Sequence, residues 1–262
     1  LLEGLGRTLC PEPLLSAAIA VDALSRGPAS LRSRIDEIAA GALRVGFAGL
    51  ECGRGERDPA LEVRDGALHG EKWQAQDCEG AGALVVTAGA DLYWVESVPE
   101  VESLSRIDGR DASVIRFSGT PATRLCPAAE VLDRATIALC AEMLGAASQV
   151  FEDTLVHLKT RAQFGVPIGT FQALQHRAGR CYTQLALARS AVVAAARVAD
   201  ADPEQQDPGH LPLMASLAKA KMSEVFVHVA NEAVQLHGGI GMTDECDVGF
   251  YLKRARVCAS LL

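Results

Sequence analysis

Two short runs of this chain hold polar side chains at spacings suited to binding a phosphate-bearing ligand. The first is RAQFGVPIGTFQALQH, residues 161–176. Within it Arg161 offers a rigid planar fork of donors that matches phosphate oxygens, while Gln163 and Gln172 each offer an amide donor and an acceptor. The second is QLHGGIGMTDE, residues 235–245, in which Gly238 and Gly239 follow what reads as a helix end. Glycines there tolerate positive φ and let backbone N–H groups come close to a ligand. Taken singly, each feature has a plainer explanation. An arginine before a turn is usually solvated, a glycine pair after a helix is usually a cap, and helix-end histidines such as His176 and His237 are usually structural.

The elements that must position these runs are long helices. Leu132, Ala135, Leu139, Met143, Ala146 and Val150 fall near i, i+3, i+4, i+7 spacing, which predicts a helix with one buried stripe over 128–160. Gly165, Pro167 and Gly169 then stop that helix and aim the next, expected over 170–200. The loop DADPEQQDPG separates it from a third helix over 211–236, and a fourth begins near 245. Long helices with short connections predict a four-helix bundle over 126–262.

Upstream the texture differs. Residues 1–42 read as helical, with Pro11 and Pro13 opening a Leu/Ala-rich helix that Gly27 and Pro28 end. From 43 to 125 short apolar runs alternate with turn residues: LRVGFAGL, ALEVRDGALHG, ALVVTA, DLYWVES, SLSRIDG and SVIRFSG. These predict strands of a small β domain, with a hairpin turn at Asp65 and Gly66. The fold class is therefore α+β, mainly α: N-terminal helices, a small middle β domain and a C-terminal bundle.

The 262 residues, 49% hydrophobic, suffice for a sizeable core, and a net charge of -8 with no basic run argues against a nucleic-acid surface. Eight scattered cysteines with no C-x-x-C read as thiols of a reducing cytoplasm. No run reaches the roughly 18 apolar residues of a membrane span. The first residue is Leu rather than Met, so residues preceding it are expected.

Arg-x-Gln-Phe-Gly-x-Pro-Ile-Gly-x-Phe-Gln-x-x-Gln-His resembles the signature of the C-terminal helical domain of acyl-CoA dehydrogenases, and residues 235–245 resemble that family's second C-terminal motif. The two stand in the family's order and separation; the resemblance runs over 133–257 and is loose upstream, where LGRTLCPEPLL resembles the close of the family's N-terminal helical domain. It implies a remnant of that domain over 1–42. It also implies that Arg161, Gln163, Phe164, Phe171 and Gln172, with Gln235, Leu236, His237, Gly238 and Gly239, contact FAD belonging to a neighbouring subunit.

The family removes an α-proton from an acyl-CoA thioester with a carboxylate while hydride leaves the β-carbon for the flavin. Counted without gaps, one family position for that base falls on Leu262 and the other on Ala135. Asp133 is the nearest carboxylate, two residues away and about 200° round the helix. Trp73 keeps a family tryptophan, but Ala75 stands where a flavin-facing threonine is usual, and no Thr-Glu-Pro-like loop is recognisable in residues 46–53. The expectation is a subunit that completes the FAD site of a homologous catalytic partner in an α2β2 heterotetramer, similar to the actinobacterial dehydrogenases that shorten steroid side chains as CoA thioesters. The electron acceptor would be an electron-transfer flavoprotein or, as in related oxidases, oxygen. The alternatives are a self-sufficient homotetrameric dehydrogenase using Asp133, and a non-enzymatic scaffold.

Overall fold

The computed structural model describes residues 1–49, 61–201, 207 and 209–262, and its contacts divide the chain into two compact units. One comprises Leu1–Cys10 with Thr136–Leu261, the other Pro11–Ala135 with Leu262.

The helical unit is built from α4 (Ala128–Thr160), α5 (Gln172–Asp200), α6 (His210–His237) and α7 (Val248–Ser260), with the short α1 (Leu2–Arg7) laid against them. The expected stripe is buried along α4: Leu139, Met143, Ala146 and Val150 are each at most 1% exposed. Val192 and Ala195 of α5, and Ala218, Met222, Phe226 and Ala230 of α6, are buried in the same unit. One buried ion pair lies inside: Arg254 donates through Nε and Nη2 to Glu142 Oε1, at 3.1 and 2.9 Å. Two glycines let α1 dock. A Cβ on Gly6 would lie 2.0 Å from the Glu142 carbonyl oxygen, and one on Gly145 would lie 1.9 Å from that of Glu3. Only glycine permits that approach. Tyr251 then donates to the Arg7 carbonyl at 2.6 Å, and Arg189 pairs with Glu3 at 2.6 Å.

The second unit contains α2 (Leu14–Arg26), α3 (Ser33–Ala39) and two four-stranded sheets. One sheet runs β1 (Val45–Ala48), β4 (Ala83–Ala88), β5 (Asp91–Val95), β8 (Thr123–Pro127). The other runs β2 (Glu62–Arg64), β3 (Ala67–Ala75), β7 (Ser113–Pro121), β6 (Val101–Ser103). Every pairing is antiparallel except β1 with β4. The core joins both sheets, with Ala48, Leu84 and Val86 against Leu68, Ala75, Ile115 and Phe117. Asp65 and Gly66 both have positive φ and form the expected hairpin turn.

Two strand expectations change. In SLSRIDG only Ser103 is extended, because Asp108 accepts hydrogen bonds from Arg106 Nε and the Arg110 amide and Gly109 takes φ +70°. That Asp-centred turn outcompetes strand pairing. Conversely, β8 forms where no strand is expected: exposed Arg124 pairs with Asp91 of the neighbouring strand, and Leu125 and Cys126 are buried. Ala75, read as standing in a flavin-facing place, is completely buried in the core, next to a bulge at which Gln74 takes φ +50°. The Thr-Glu-Pro-like position lies partly outside the described residues, as do most of DADPEQQDPG and Cys52. The described cysteines are all free thiols.

Candidate functional site

The two runs singled out in the sequence meet at one seam of the helical unit. α4 ends at Thr160, and residues 162–167 fold into a two-rung hairpin, β9 (Ala162–Gln163) against β10 (Val166–Pro167). Its turn residues Phe164 and Gly165 have φ of +55° and +80°, the two consecutive positive values of a tight hairpin. A phenylalanine in that conformation is sterically strained by about 1 kcal/mol. The hairpin is anchored to α4 because the Arg161 amide donates to the His157 carbonyl and the Ile168 amide donates to the Arg161 carbonyl. Gly169 is required where the chain turns into α5, since a Cβ there would lie 2.8 Å from the Leu158 carbonyl oxygen. Gln175 Nε2 caps that turn by donating to the Gly169 carbonyl.

The hairpin presents its side chains outward. Phe164 is 90% exposed and meets the half-exposed Phe171 edge to face, ring centroids 6.0 Å apart. Arg161, Gln163 and Gln172 are exposed, and among the described residues the Arg161 guanidinium has no ion-pair partner. Gln163 Nε2 donates only to the neighbouring Ala162 carbonyl. An exposed aromatic pair beside an unpaired guanidinium suits a ligand with a flat ring and a phosphate.

Across the seam α6 ends at His237. Gly238 caps it with φ +67°, and its amide donates to the Gln235 carbonyl. Leu236 is buried and fixes the helix end, whereas Gln235, Gly238 and Gly239 are exposed. The His237 ring stacks on His157 at 4.2 Å between centroids and 28° between planes. His157 lies one turn before Arg161, so the stack joins the Arg161 turn to the glycine cap. Burial lowers the His157 pKa, with the positive charges of His237 and Arg161 adding to it. Sequence reasoning missed His157. Its signal was the four-residue spacing from Arg161, which puts it in the last turn of the helix that leads into that residue.

The counted base positions hold no carboxylate in the structure: Ala135 is a buried alanine of α4. Asp133 is half-buried near the start of α4, its pKa raised by burial and then by the charge of Glu130 one turn earlier. Among the described residues no group of His, Cys, Asp and Glu is arranged to hold a metal ion, and no helix is long and apolar enough to cross a membrane.

Comparison with known proteins agrees with this architecture. Residues 127–261 match the model of the acyl-CoA dehydrogenase C-terminal domain. The chain is 31% identical over its whole length to the acyl-CoA dehydrogenase IpdE2 of Mycobacterium tuberculosis, covering 71% of that protein. Among solved structures it resembles the Tcur3481-Tcur3483 steroid ACAD, at 30% identity and a TM-score of 0.88 over 99% of this chain and 74% of that one. It also resembles a chain of the ChsE4-ChsE5 complex from Mycobacterium tuberculosis, at 25% identity and a TM-score of 0.87 over 98% of this chain and 73% of that one.

Proposed function

Because the chain belongs to the acyl-CoA dehydrogenase family, we propose that it is the subunit of a heteromeric dehydrogenase that completes a partner's FAD site. The observation that carries this reading is the outward-facing seam: Arg161, Phe164, Phe171 and the Gly238 cap present ligand-binding groups away from their own bundle. Its own base is missing from both counted positions. Large apolar side chains left exposed on α5 (Tyr182 and Val193, within about 20° of each other round the helix) and on α6 (Leu213 and Leu217, one turn apart) support assembly, since exposed apolar surface of this kind favours an interface. The similar ChsE4-ChsE5 and Tcur3481-Tcur3483 proteins are named as pairs, and the second as a steroid ACAD. The partner is therefore a homologous catalytic subunit, and the substrate an acyl-CoA thioester of the steroid side-chain class.

When bound, FAD supplies the acceptor for the hydride that leaves the β-carbon of the acyl group. The residues of this chain act on its placement. Arg161 would neutralise pyrophosphate charge through charge-assisted hydrogen bonds. Gln163, Gln172 and Gln235 offer amide donors, and the glycine cap leaves room for close backbone approach. Phe164 and Phe171 would pack against the cofactor and exclude water from it. The α-proton is removed by a carboxylate of the partner.

Co-purification of the tagged chain with a homologous subunit tests this by flavin absorbance and mass. The expected complex holds about two FAD per four chains, and the chain alone is colourless. Each charge-assisted bond contributes ~1.5–3 kcal/mol, so Arg161→Ala loosens FAD roughly ten- to hundredfold. Unchanged FAD occupancy in that variant removes Arg161 from the site. The half-buried Asp133 with its raised pKa supports a second reading, a self-sufficient homotetramer. Four FAD per homotetramer, with activity abolished by Asp133→Asn, would establish that reading instead.

A further inference from the structure

The β unit holds a cavity of about 380 Å³ that the FAD reading does not use. That volume falls at the small end of ligand sites, roughly 300–1,000 Å³. Its walls are apolar: Leu31 from the turn before α3, Pro121 from the end of β7, and the edge of the otherwise buried Trp94 from β5. Gly66 and Ala122 leave one side open, because neither puts a large side chain there. Gly66 takes φ +77°, nothing lies within 4 Å of where its Cβ would stand, and its carbonyl accepts from the Ala122 amide at 3.0 Å.

Among the described residues the one charged side chain lining the cavity is Glu96, just beyond β5. Its Oε1 accepts from Arg34 Nη2 at 2.8 Å, from Arg34 Nε at 3.2 Å and from Trp94 Nε1 at 3.3 Å. Among the described residues its Oε2 accepts no hydrogen bond. Arg34 is shared as well, since its Nη1 donates to both oxygens of Glu37 at 3.0 and 2.9 Å. One guanidinium thus serves two carboxylates, and the group keeps one negative charge. The hydrogen bond from Arg34, and after it that from Trp94, holds the Glu96 carboxyl below its ordinary range, so the charge is present at neutral pH. Ser97 and Thr123 add hydroxyl oxygens beside it.

We infer that this cavity binds a small organic ammonium ion, its ammonium on Glu96 Oε2 and its apolar body against Leu31, Trp94 and Pro121. An anion would meet the charge of Glu96, and a purely apolar molecule would desolvate Oε2 without giving it a donor. A primary ammonium carries three donors, enough for Oε2 and the two hydroxyls. The site lies within the unit of Pro11–Ala135 and needs neither FAD nor a partner subunit, so it stands or falls separately from the FAD reading.

The chain has two tryptophans, and their indole N–H resonances read the site directly. Trp73→Phe removes one signal and assigns the other to Trp94. The full chain is titrated with phenethylammonium at neutral pH and followed by nitrogen–proton correlation spectra. The expected result is a saturable shift of the Trp94 signal, whose acceptor is Glu96 itself, with the Trp73 signal unmoved. Phenethyl alcohol, the same body with a hydroxyl in place of the ammonium, should bind about tenfold more weakly or worse. Glu96→Gln, which still accepts from Trp94, should weaken the ammonium by a similar factor and leave the alcohol unchanged. Ala122→Phe, which fills the cavity, should abolish both. A Trp94 signal that stays in place, or that moves without saturating, overturns the inference. So does equal affinity for ammonium and alcohol, or saturable binding that survives Ala122→Phe. If Glu96→Gln loses its folded spectrum, the comparison of ammonium with alcohol on the parent chain decides alone.

Discussion

Replacing Gly145 by alanine sets two effects of opposite sign against each other, and the structure decides between them. Alanine in the interior of α4 favours the helix by about 1 kcal/mol over glycine. Its Cβ, however, would lie 1.9 Å from the Glu3 carbonyl oxygen, against a minimum near 3.0 Å. Both partners are helix backbone, so α1 must retreat by ~1.1 Å, the difference between those figures. The Tyr251 hydrogen bond to the Arg7 carbonyl, now 2.6 Å, is then stretched beyond hydrogen-bonding range. That bond contributes ~1 kcal/mol. The exposed pairs Arg7–Glu152 and Arg189–Glu3 add ~0.2–1 kcal/mol each. A loss of roughly 2 kcal/mol against a gain of roughly 1 leaves Gly145→Ala about 1 kcal/mol less stable, with α1 undocked. Hydrogen exchange of the amides of α1, with a urea melt, measures both quantities. Wild-type protection of α1 together with a gain of about 1 kcal/mol would refute the argument that the Gly6–Gly145 crossing holds this helix in place.

Three further outcomes follow from the same structure. Glu142→Gln removes the carboxylate charge facing the Arg254 guanidinium, 4% exposed, and costs up to ~3–5 kcal/mol, whereas Glu142→Leu with Arg254→Met costs less; urea melts of single and double variants separate these. Phe164→Gly relieves the positive φ and raises the stability of the isolated chain by up to about 1 kcal/mol, while weakening FAD retention in the complex; a fall in stability would show that the hairpin is not strained. Burial raises the Asp77 pKa, opposed by the Ser16 hydrogen bond and reinforced by Asp111. The folded chain therefore binds that proton more tightly than the unfolded one, and the native state is favoured as pH falls to the raised value and penalised above it. Asp77→Asn, which can still accept from Ser16, should raise stability at pH 7 and flatten its pH dependence just above the ordinary carboxylate range; an unchanged profile would sink that assignment.

The bundle was legible because its signal is long. Apolar positions repeated over many turns placed α4 to α7 to within a few residues, and Gly165, Pro167 and Gly169 marked the break between α4 and α5. The β unit was legible only where a strand had a buried face. In residues 104–109 apolar Leu104 and Ile107 suggested a strand, but the side chain of Asp108 organised a turn instead. β8 was hidden because Arg124 and Pro127 are poor strand residues, accepted there because Arg124 finds Asp91 across the ladder. The docking of α1 was not legible at all. It depends on two glycines brought together by tertiary packing, and neither one signals it locally. At the seam, the residue types pointed to Arg161 and the glycine pair, while His157 was passed over as one more polar residue on a long helix.

The 33 residues of α4 form one uninterrupted helix. Each residue added to such a helix advances its phase by about 100°. A single insertion between Val150 and His157 would carry His157 and Arg161 a quarter-turn and more around the axis, while the stripe of Leu139, Met143 and Val150 stayed in its groove. The imidazole stack would be lost and the guanidinium would face another direction. This helix is thus a phase-locked shaft. Through the rest of the fold, length can drift in loops. Here even a whole-repeat change of about seven or eleven residues, which restores the phase, would slide the seam by roughly 10–16 Å along the axis, so any working relative should hold the spacing from Leu139 to Arg161 unchanged.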